Sequence, residues 1–350
     1  MEFPQTPFKK LQNKKKIEFG NKFMTKIKTL SILGPTASGK TGLAIALAKR
    51  LNGEVVSCDS MQLYRGMDIG TATPSMEERD GVPHHMFDII EPDMEFSAAD
   101  YAREAGIVIA DIASRGKLPI LCGGTGMYHD SLMRLTSFEP GERDEALREK
   151  LFAYAAEHGN EALHARLAAV DPEAAEAIHP NNVKRVVRAI EVFETTGKTK
   201  TETDRMQVSG EIPYDNTPVI LEFADRALLY ERIERRVDIM MDEGLEAEAR
   251  WVLGYPNLSK TAYQAIGYKE FAPYFRGECT LADVAAEIKL ATRHYAKRQL
   301  IWFRKSDAMR IVPDACGGGK VRTPDEMADE VIERSSHNPI PKNFQTKQKK

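Results

Sequence analysis

The sequence has little cysteine and no long apolar segment. Its four cysteines are too few and too scattered for a disulfide framework or a paired-cysteine zinc site. They are Cys58, Cys122, Cys279 and Cys316. Reduced thiols and a cytoplasmic location are therefore expected. The sequence contains no apolar run of about 18 residues, so no membrane-spanning helix is expected.

In the body of the chain, acidic residues outnumber basic residues. Residues 1–28 contain eight lysines against Glu2 and Glu18, and residues 341–350 contain four lysines and no acid. Removing these stretches, of +6 and +4, from the net charge of -3 leaves -13 for residues 29–340. Bulk charge is therefore excluded as the main means of binding nucleic acid, and any such binding must use local patches.

What the chain does have is an ordinary globular composition with a changing rhythm. Hydrophobic residues make up 42% of its 350 residues and charged residues 29%, which excludes disorder for most of the chain. In the first third, short apolar runs alternate with helical periodicity. The runs at 29–33, 54–58, 86–90 and 118–122 are predicted strands, and residues 40–51 and 97–115 are predicted helices. This alternation predicts an α/β fold, with βαβ units on a parallel sheet flanked by helices.

The helical rhythm dominates after about residue 135. Residues 143–205 offer no strand candidate; strand character returns at 218–223, before long helices at 226–254 and 280–305. We therefore predict an all-helical insertion domain at 136–206, inside a discontinuous core of residues 29–135 and 207–312. Residues 1–28 are predicted to be a disordered basic extension, or to precede a start at Met24. Residues 313–350 are predicted to form a C-terminal helix and a disordered tail.

A phosphate-binding pattern follows the first predicted strand. GPTASGKT matches G-x-x-x-x-G-K-[ST] and precedes a helix-forming run, so the predicted parallel sheet is P-loop NTPase-like. The glycines let backbone N–H groups point at an anion, and the helix adds the positive end of its dipole. Lys40 supplies charge to terminal phosphates, and the Thr41 hydroxyl suits a phosphate-bound Mg²⁺. The predicted diphosphate- or nucleotide-binding residues are Gly34, Pro35, Thr36, Ala37, Ser38, Gly39, Lys40 and Thr41.

Asp59 ends the next predicted strand, where ligands collect in open α/β sheets. Three roles fit this position: a general base acting on an acceptor, a Mg²⁺ ligand acting through water, or the cap of a turn. The preceding residues, EVVSC, are more polar and earlier in the chain than a typical Walker-B strand, which favours the base. The loop alone fits kinases, NTPases and enzymes whose substrate carries a diphosphate leaving group.

The segment after Asp59 carries a family resemblance. Residues 59–74, DSMQLYRGMDIGTATP, downstream of GPTASGKT, closely resemble the tRNA dimethylallyltransferase (tRNA isopentenyltransferase) family. Further matches follow in order at 83–89, 96–100, 123–128, 179–192, 265–268 and 292–304. The resemblance implies transfer of a dimethylallyl group from dimethylallyl diphosphate to N6 of the adenine at tRNA position 37, with release of diphosphate.

The resemblance also implies roles for particular residues. Thr36, Ser38, Lys40 and Thr41 would hold the diphosphate with Mg²⁺ as cofactor, and Asp59 would accept the N6 proton. Arg236 would stabilise the leaving group, although Arg235 beside it is an alternative match and a solvated helix face is the other reading. The implied contacts with the tRNA anticodon stem-loop are Asp59, Ser60, Met61, Gln62, Thr125, Arg148, Lys184, Arg185, Val186, Val187 and Arg188.

A cationic stretch is visible without the family. Residues 289–305 hold six cations and no acid, with Lys289, Arg293 and Lys297 spaced along one helix face. A charge run is usually a solvated face, but in so acidic a body this one favours a phosphate-backbone track. Arg293, Lys297 and Arg298 are accordingly predicted to contact tRNA.

The histidines and the competing functions complete the predictions. His84 and His85 are interpreted as core or channel wall, since adjacent histidines rarely both ligate a metal and no cysteine is near. Three other functions compete: a P-loop kinase, a prenyltransferase acting on free adenine nucleotides, and an RNA-binding module with a degenerate loop. The insertion and the cationic stretch favour a large polyanionic acceptor, and a monomer is expected.

Overall fold

A computed structural model describes residues 26–134, 144–208, 212–304 and 306–335. Most of the predicted basic extension, and the predicted tail after residue 335, lie outside these residues. Positions 27 and 28, assigned above to the extension, begin the first strand instead.

The core is one six-stranded parallel sheet, as the alternation of strands and helices predicts. Its strands are β1 (Ile27–Leu33), β2 (Gly53–Ser57), β3 (His84–His85), β4 (Leu118–Gly123), β5 (Tyr214–Leu221) and β6 (Met309–Ile311). They lie in the order β3-β2-β4-β1-β5-β6. Leu33, the last residue of β1, lies opposite Gly123 on one side and Ile220 on the other. The central strands are apolar because helices cover both faces.

Fourteen helices are present among the described residues. They are α1 (Lys40–Arg50), α2 (Ala98–Ser114), α3 (Gly126–Arg134), α4 (Glu145–His158), α5 (Asn160–Val170), α6 (Pro172–Ala177), α7 (Val183–Thr196), α8 (Lys200–Val208), α9 (Arg226–Asp242), α10 (Leu245–Leu253), α11 (Lys260–Tyr263), α12 (Phe271–Phe275), α13 (Leu281–Phe303) and α14 (Pro324–Ser335). One face of the sheet packs on α1 and α14, and the other on α2, α3 and the helices from α9 to α13. None of the helices in this part of the chain is long and apolar enough to cross a membrane.

The helices from α4 to α8 form a cluster with a hydrophobic core of its own. Leu163, Leu167, Val186 and Val187 are fully buried in it. The apolar residues of α7 recur at helical spacing, which turns one face of that helix inward. The stretch without strands is therefore helical as expected, while the domain boundaries given above stay predictions.

Three features of the fold differ from expectation. The predicted strand at 86–90 is wrong: only His84 and His85 pair with β2, because Met86 (φ 64°) and Asp88 (φ 53°) leave the extended conformation. Residues 226–254 form two helices rather than one, since the chain between α9 and α10 turns at Gly244 with φ 102°. The short strand β6 has no counterpart in the predictions.

A buried carboxylate ties β2 to its neighbours at the sheet end away from the P-loop. Glu54 is 2% exposed and accepts two hydrogen bonds from Arg115, at 2.6 and 2.7 Å. Lys117 and His85 each lie 2.7 Å from its oxygens. The Arg115 guanidinium, helped by Lys117 and His85, holds the pKa of Glu54 well below its usual value, although burial opposes the shift.

We expect Glu54→Gln to lower the free energy of unfolding by about 1–3 kcal/mol at pH 7, because buried donors lose their charged acceptor. A depressed folded-state pKa stabilises the fold fully above the unfolded pKa of about 4.3, and this stabilisation is lost progressively as the pH falls from there toward the folded-state pKa. The gap between wild type and variant in urea denaturation should therefore shrink from pH 5 to pH 3. Glu104→Gln, which removes an exposed pair with Arg103, is the control; a gap independent of pH would contradict the assignment.

Candidate active site

A cavity of about 570 Å³ opens beside the carboxyl ends of the strands. Its wall combines the loop after β1, the turn after β2 and side chains from α9 and α13. Three charged groups predicted from the sequence meet there: Lys40, Asp59 and Arg236. Apolar side chains form another part of the wall, contributed by Phe87, Ile233, Val237, Met240 and Ile288. The cavity thus joins a charged region to an apolar one.

The P-loop has the backbone that its glycines predict. Gly34 (φ 146°) and Gly39 (φ 94°) both have positive φ, and a Cβ on Gly34 would lie 2.8 Å from the Leu221 carbonyl oxygen. Ala37 also has a positive φ of 59° and is held by Arg232, whose Nε donates to its carbonyl at 2.9 Å. Because Gly39 caps α1 without a side chain, no side chain competes for the first N–H groups of this helix.

Two of the cations that line the cavity, Lys40 and Arg236, are desolvated. Burial lowers the pKa of Lys40 to about 8, while Cys122 and Asp59 act in the opposite direction. Its Nζ donates to the Pro35 carbonyl at 2.6 Å. Burial also lowers the pKa of Arg236, and the neighbouring Arg232 adds to that shift. Cations taken out of water bind an anion more strongly than exposed ones, so this region suits a polyanion.

The alternatives for the arginine are separated by position. Arg236 lines the cavity, whereas Arg235, the residue before it in α9, is exposed and is not among the lining residues. Arg232, for which no role is predicted, supports the P-loop through Ala37 and lies over the Phe223 ring at 5.9 Å. The structure thus places Arg236 at the cavity and Arg232 beneath the loop.

The turn after β2 places Asp59 opposite the cations. Its Oδ1 accepts the Met61 N–H at 2.9 Å. Burial raises the pKa of Asp59, opposed by that hydrogen bond and by the charge of Lys40. Thr125 holds the turn from the β4–α3 loop, since its Oγ1 accepts the Ser60 N–H at 3.0 Å and its own N–H donates to Cys58 at 3.1 Å. Gly123 permits this approach, because a Cβ there would lie 2.1 Å from the Cys58 carbonyl oxygen.

The loop at 66–74 is fastened by a residue that sequence reasoning missed. The Glu248 carboxylate on α10 accepts the backbone N–H groups of Asp68, Ile69 and Gly70 at 2.8–3.0 Å, and the Tyr268 hydroxyl at 2.8 Å. Gln62 holds the same loop from the other side through the carbonyls of residues 71 and 72, at 3.3 and 3.2 Å. No local pattern marks Glu248, because the backbone N–H groups that it binds lie about 180 positions earlier in the chain.

The predicted tRNA contacts in the helical cluster divide into three groups. Lys184 and Arg185 are exposed on α7. Val186 and Val187 are fully buried, so the prediction that their side chains contact tRNA is wrong. The other two arginines of the set lie against the fully buried Glu191: Arg188 at 2.7 Å and Arg148 at 3.5 Å. That carboxylate needs positive partners, which gives both arginines a structural task.

The cationic face of α13 is also partly structural. Lys289 pairs with Asp238 of α9 at 2.5 Å, and Arg293 pairs with Glu234 one turn earlier. Both side chains therefore already have a carboxylate partner, and the interpretation of that face as a phosphate-backbone track stays a prediction. Arg298 instead lines the cavity, with its guanidinium 5.6 Å from the centre of the Tyr295 ring. Lys297 is exposed.

The remaining predicted features concern histidines and thiols. His84 lines the cavity, as the channel-wall interpretation has it, while His85 pairs with Glu54. Within the described parts of the chain no cluster of three or more His, Cys, Asp or Glu side chains forms a metal site. All four cysteines are free, and burial raises the pKa of Cys122 to about 11, which keeps this thiol neutral beside the P-loop.

The geometry at Gly34 leads to a test of the loop. Gly34→Ala should weaken pyrophosphate binding at least about tenfold, because the added methyl group would displace the loop from Leu221. Gly116→Ala is the matched control, since Gly116 also has a positive φ (70°) but open space around it, far from the site. Isothermal titration with pyrophosphate measures both, and equal losses would refute the argument from close approach.

Comparisons with known proteins agree with this site. Residues 62–306 match the sequence profile of the family described as IPP transferase, and residues 27–88 match the isopentenyl transferase profile. The tRNA dimethylallyltransferase of Bacillus pumilus is 48% identical over 282 residues, covering 80% of this chain and 87% of the relative. That of Bacillus subtilis is 48% identical over 280 residues, covering 80% and 88%.

Solved structures show the same similarity. The full-length tRNA isopentenylpyrophosphate transferase from Bacillus halodurans superposes with a TM-score of 0.64 at 41% identity, covering 89% of this chain and 96% of that one. A eukaryotic dimethylallyltransferase acting on tRNA superposes with a TM-score of 0.74 at 27% identity, covering 93% and 82%. With its fold, its phosphate-binding loop and its sequence all in agreement, this chain belongs to the tRNA dimethylallyltransferase (IPP transferase) family.

Proposed function

We propose that this chain transfers the dimethylallyl group of dimethylallyl diphosphate to N6 of adenosine at position 37 of tRNA, next to the anticodon, and releases diphosphate. One observation carries the proposal: a single cavity holds two desolvated cations, an aspartate and an apolar wall. A diphosphate ester of a short branched hydrocarbon needs the cations for its charged end and the apolar wall for its other end.

The donor is held by the P-loop and α9. Lys40 and Arg236 bind the diphosphate, and the N–H groups at the start of α1 add the helix dipole. As the C–O bond breaks, its electron pair passes to the diphosphate. Because that negative charge grows in a region already out of water, fixed cations stabilise the transition state more than the ground state.

A Mg²⁺ ion fits the same end of the cavity. The Thr41 hydroxyl lines it, and the Ser38 Oγ is buried without a hydrogen-bond partner. These are oxygen donors of the kind that accompany a phosphate-bound Mg²⁺, which usually takes few protein ligands. When bound, the ion would neutralise part of the diphosphate charge, with Thr41 as its protein ligand.

The acceptor is activated by Asp59. The N6 lone pair attacks C1 of the dimethylallyl group, and the N6 proton passes to the Asp59 carboxylate. An exocyclic adenine amine is a weak nucleophile, and burial raises the pKa of Asp59, which makes it a stronger base than an exposed aspartate. To reach the cavity, the adenine must leave the anticodon loop, at a cost of a few kcal/mol.

The remaining parts of the proposal concern the wider enzyme. The anticodon stem-loop would be bound by Ser60, Met61, Gln62 and Arg298 around the cavity and by Lys184 and Arg185 on α7. Every group in the proposed chemistry comes from one chain, which supports a monomer. The four free thiols support a cytoplasmic location.

The primary test incubates the protein with labelled dimethylallyl diphosphate, Mg²⁺ and bulk tRNA. Label in tRNA at the adenosine beside the anticodon is the expected result. Label in AMP but not in tRNA would favour a prenyltransferase of free nucleotides. Consumption of ATP with phosphoryl transfer to an alcohol would favour a kinase.

Asp59→Asn should lower the single-turnover rate of transfer by about 10²–10⁴-fold, because it removes the proton acceptor while keeping the side-chain shape. Binding of dimethylallyl diphosphate should stay within a few-fold of wild type. In the wild type, the rate should fall as acid protonates Asp59, at a pH above the usual aspartate pKa of about 3.9, because burial raises that pKa. Asp93→Asn, on an exposed loop, is the control; parallel losses of rate and binding would contradict the base assignment.

Arg298→Gln should weaken tRNA binding and reduce the slope of log affinity against log salt by about 1, the signature of one lost phosphate contact. Lys289→Gln on the same helix should leave that slope unchanged, because Lys289 pairs with Asp238. Filter binding at several salt concentrations makes the comparison. The same slope for wild type and Arg298→Gln would remove Arg298 from the tRNA interface.

A further inference from the structure

A buried glutamine joins the loops that follow two neighbouring strands, β1 and β4. Gln299 lies in α13 and is 4% exposed. Its Oε1 accepts the N–H of Thr36 in the P-loop at 2.9 Å, and its Nε2 donates to the carbonyl of Gly124 after β4 at 3.0 Å. A backbone N–H only donates and a carbonyl only accepts, so these partners fix the orientation of the amide.

The space around the Gln299 amide is tightly filled. A Cβ on Gly124 would lie 2.0 Å from Nε2, so that position must be glycine for the contact to form. Tyr295, one turn earlier on α13, lies beside both Thr125 and Gln299. The glutamine is therefore the centre of a network and not an isolated buried polar group.

The network ends at the proposed base. Thr125 follows Gly124 and accepts the N–H of Ser60, the residue next to Asp59. Hydrogen bonds thus run from the P-loop, which binds the donor, through Gln299 to the loop that supports the acceptor side. The two ends of this path come from separate strands, β1 and β2, and in the sheet β4 lies between them.

We propose that Gln299 is a positioning residue, which sets the separation between the bound diphosphate and the Asp59 carboxylate. This inference rests on the proposed function, because it concerns the alignment of C1, N6 and the base in that reaction. A displacement of about 1 Å between reacting groups can cost 10²-fold in rate. The amide both accepts and donates at this point; an ionised carboxylate only accepts, and a thioether is a weak acceptor that cannot donate.

Gln299→Met keeps the length of the side chain and removes both hydrogen bonds. We expect kcat to fall about 10- to 100-fold, with the KM for dimethylallyl diphosphate and for tRNA within about threefold of wild type. His294→Met introduces the same side chain at an exposed position of α13 and should behave as wild type. A folded Gln299→Met with unchanged kcat, or a loss confined to KM, would overturn the proposal.

Gln299→Glu separates positioning from mere packing. Its carboxylate still accepts from Thr36 but faces the Gly124 carbonyl without a proton to donate. Protonation restores a donor, and burial raises the pKa of such a carboxyl group toward neutrality. The ratio of variant to wild-type kcat should therefore rise at least about fivefold between pH 8 and pH 6. A flat ratio would overturn the proposal, including the case in which Gln299→Met does not fold.

A third measurement does not depend on prenyl transfer. Pyrophosphate added to the wild-type protein should slow hydrogen exchange in the P-loop and also in peptides spanning 58–61 and 123–127, because Gln299 connects them. In Gln299→Met, pyrophosphate should protect the P-loop alone. Equal protection of the distant peptides in both proteins would overturn the inference, whereas absence of label transfer by the wild type would overturn only the proposed function.

Discussion

The active site depends on one constraint: Lys40, Arg236 and Asp59 lie together in one poorly solvated cavity. Burial disfavours the charged form of each group: it lowers the pKa of the two cations and raises that of the carboxyl. No neighbouring acid fully offsets the burial of the cations, although Asp59 favours the charged form of Lys40 and Glu78 favours that of Arg236. Such a site is costly in the free protein and is relieved by a polyanion, so the fold maintains charges whose partner is the substrate.

Parallel topology is what makes this arrangement possible with few residues. The chain leaves β1 into the P-loop, β2 into the Asp59 turn and β4 into the Gly124 loop, all at the carboxyl edge of one sheet. Helices α9 and α13 then approach from later in the chain and supply Arg236 and Gln299. The hydrogen bond between Thr36 and Gln299 spans 263 positions, so the site exists only when the whole core is folded.

Positions marked by a local sequence pattern could be predicted from the sequence. Contacts between residues far apart in the chain could not. The P-loop and Asp59 are readable because glycine spacing and a strand end are local constraints on the backbone. Glu248, Gln299 and Glu191 have no such signature, since the groups they bind are chosen by tertiary packing. The burial of Val186 and Val187 was accessible in principle, because their spacing with Val183 and Ile190 marks the apolar face of a helix. The prediction of a strand at 86–90 was wrong because Met86 and Asp88 adopt positive φ, and neither is a glycine that would indicate this from the sequence.

The acidity of the body explains why a run of cations is a poor guide to the nucleic-acid surface. With a net charge of -13 over residues 29–340, a helix rich in lysine and arginine meets carboxylates wherever it packs. The face of α13 that bears Lys289 and Arg293 lies against α9 and is neutralised there. Arg298 is not neutralised by α9, because its position on α13 directs its side chain to the cavity, beside Tyr295. Recognition of a polyanion by such a protein must therefore depend on the register of each cation within its helix, and not on the number of cations in the segment.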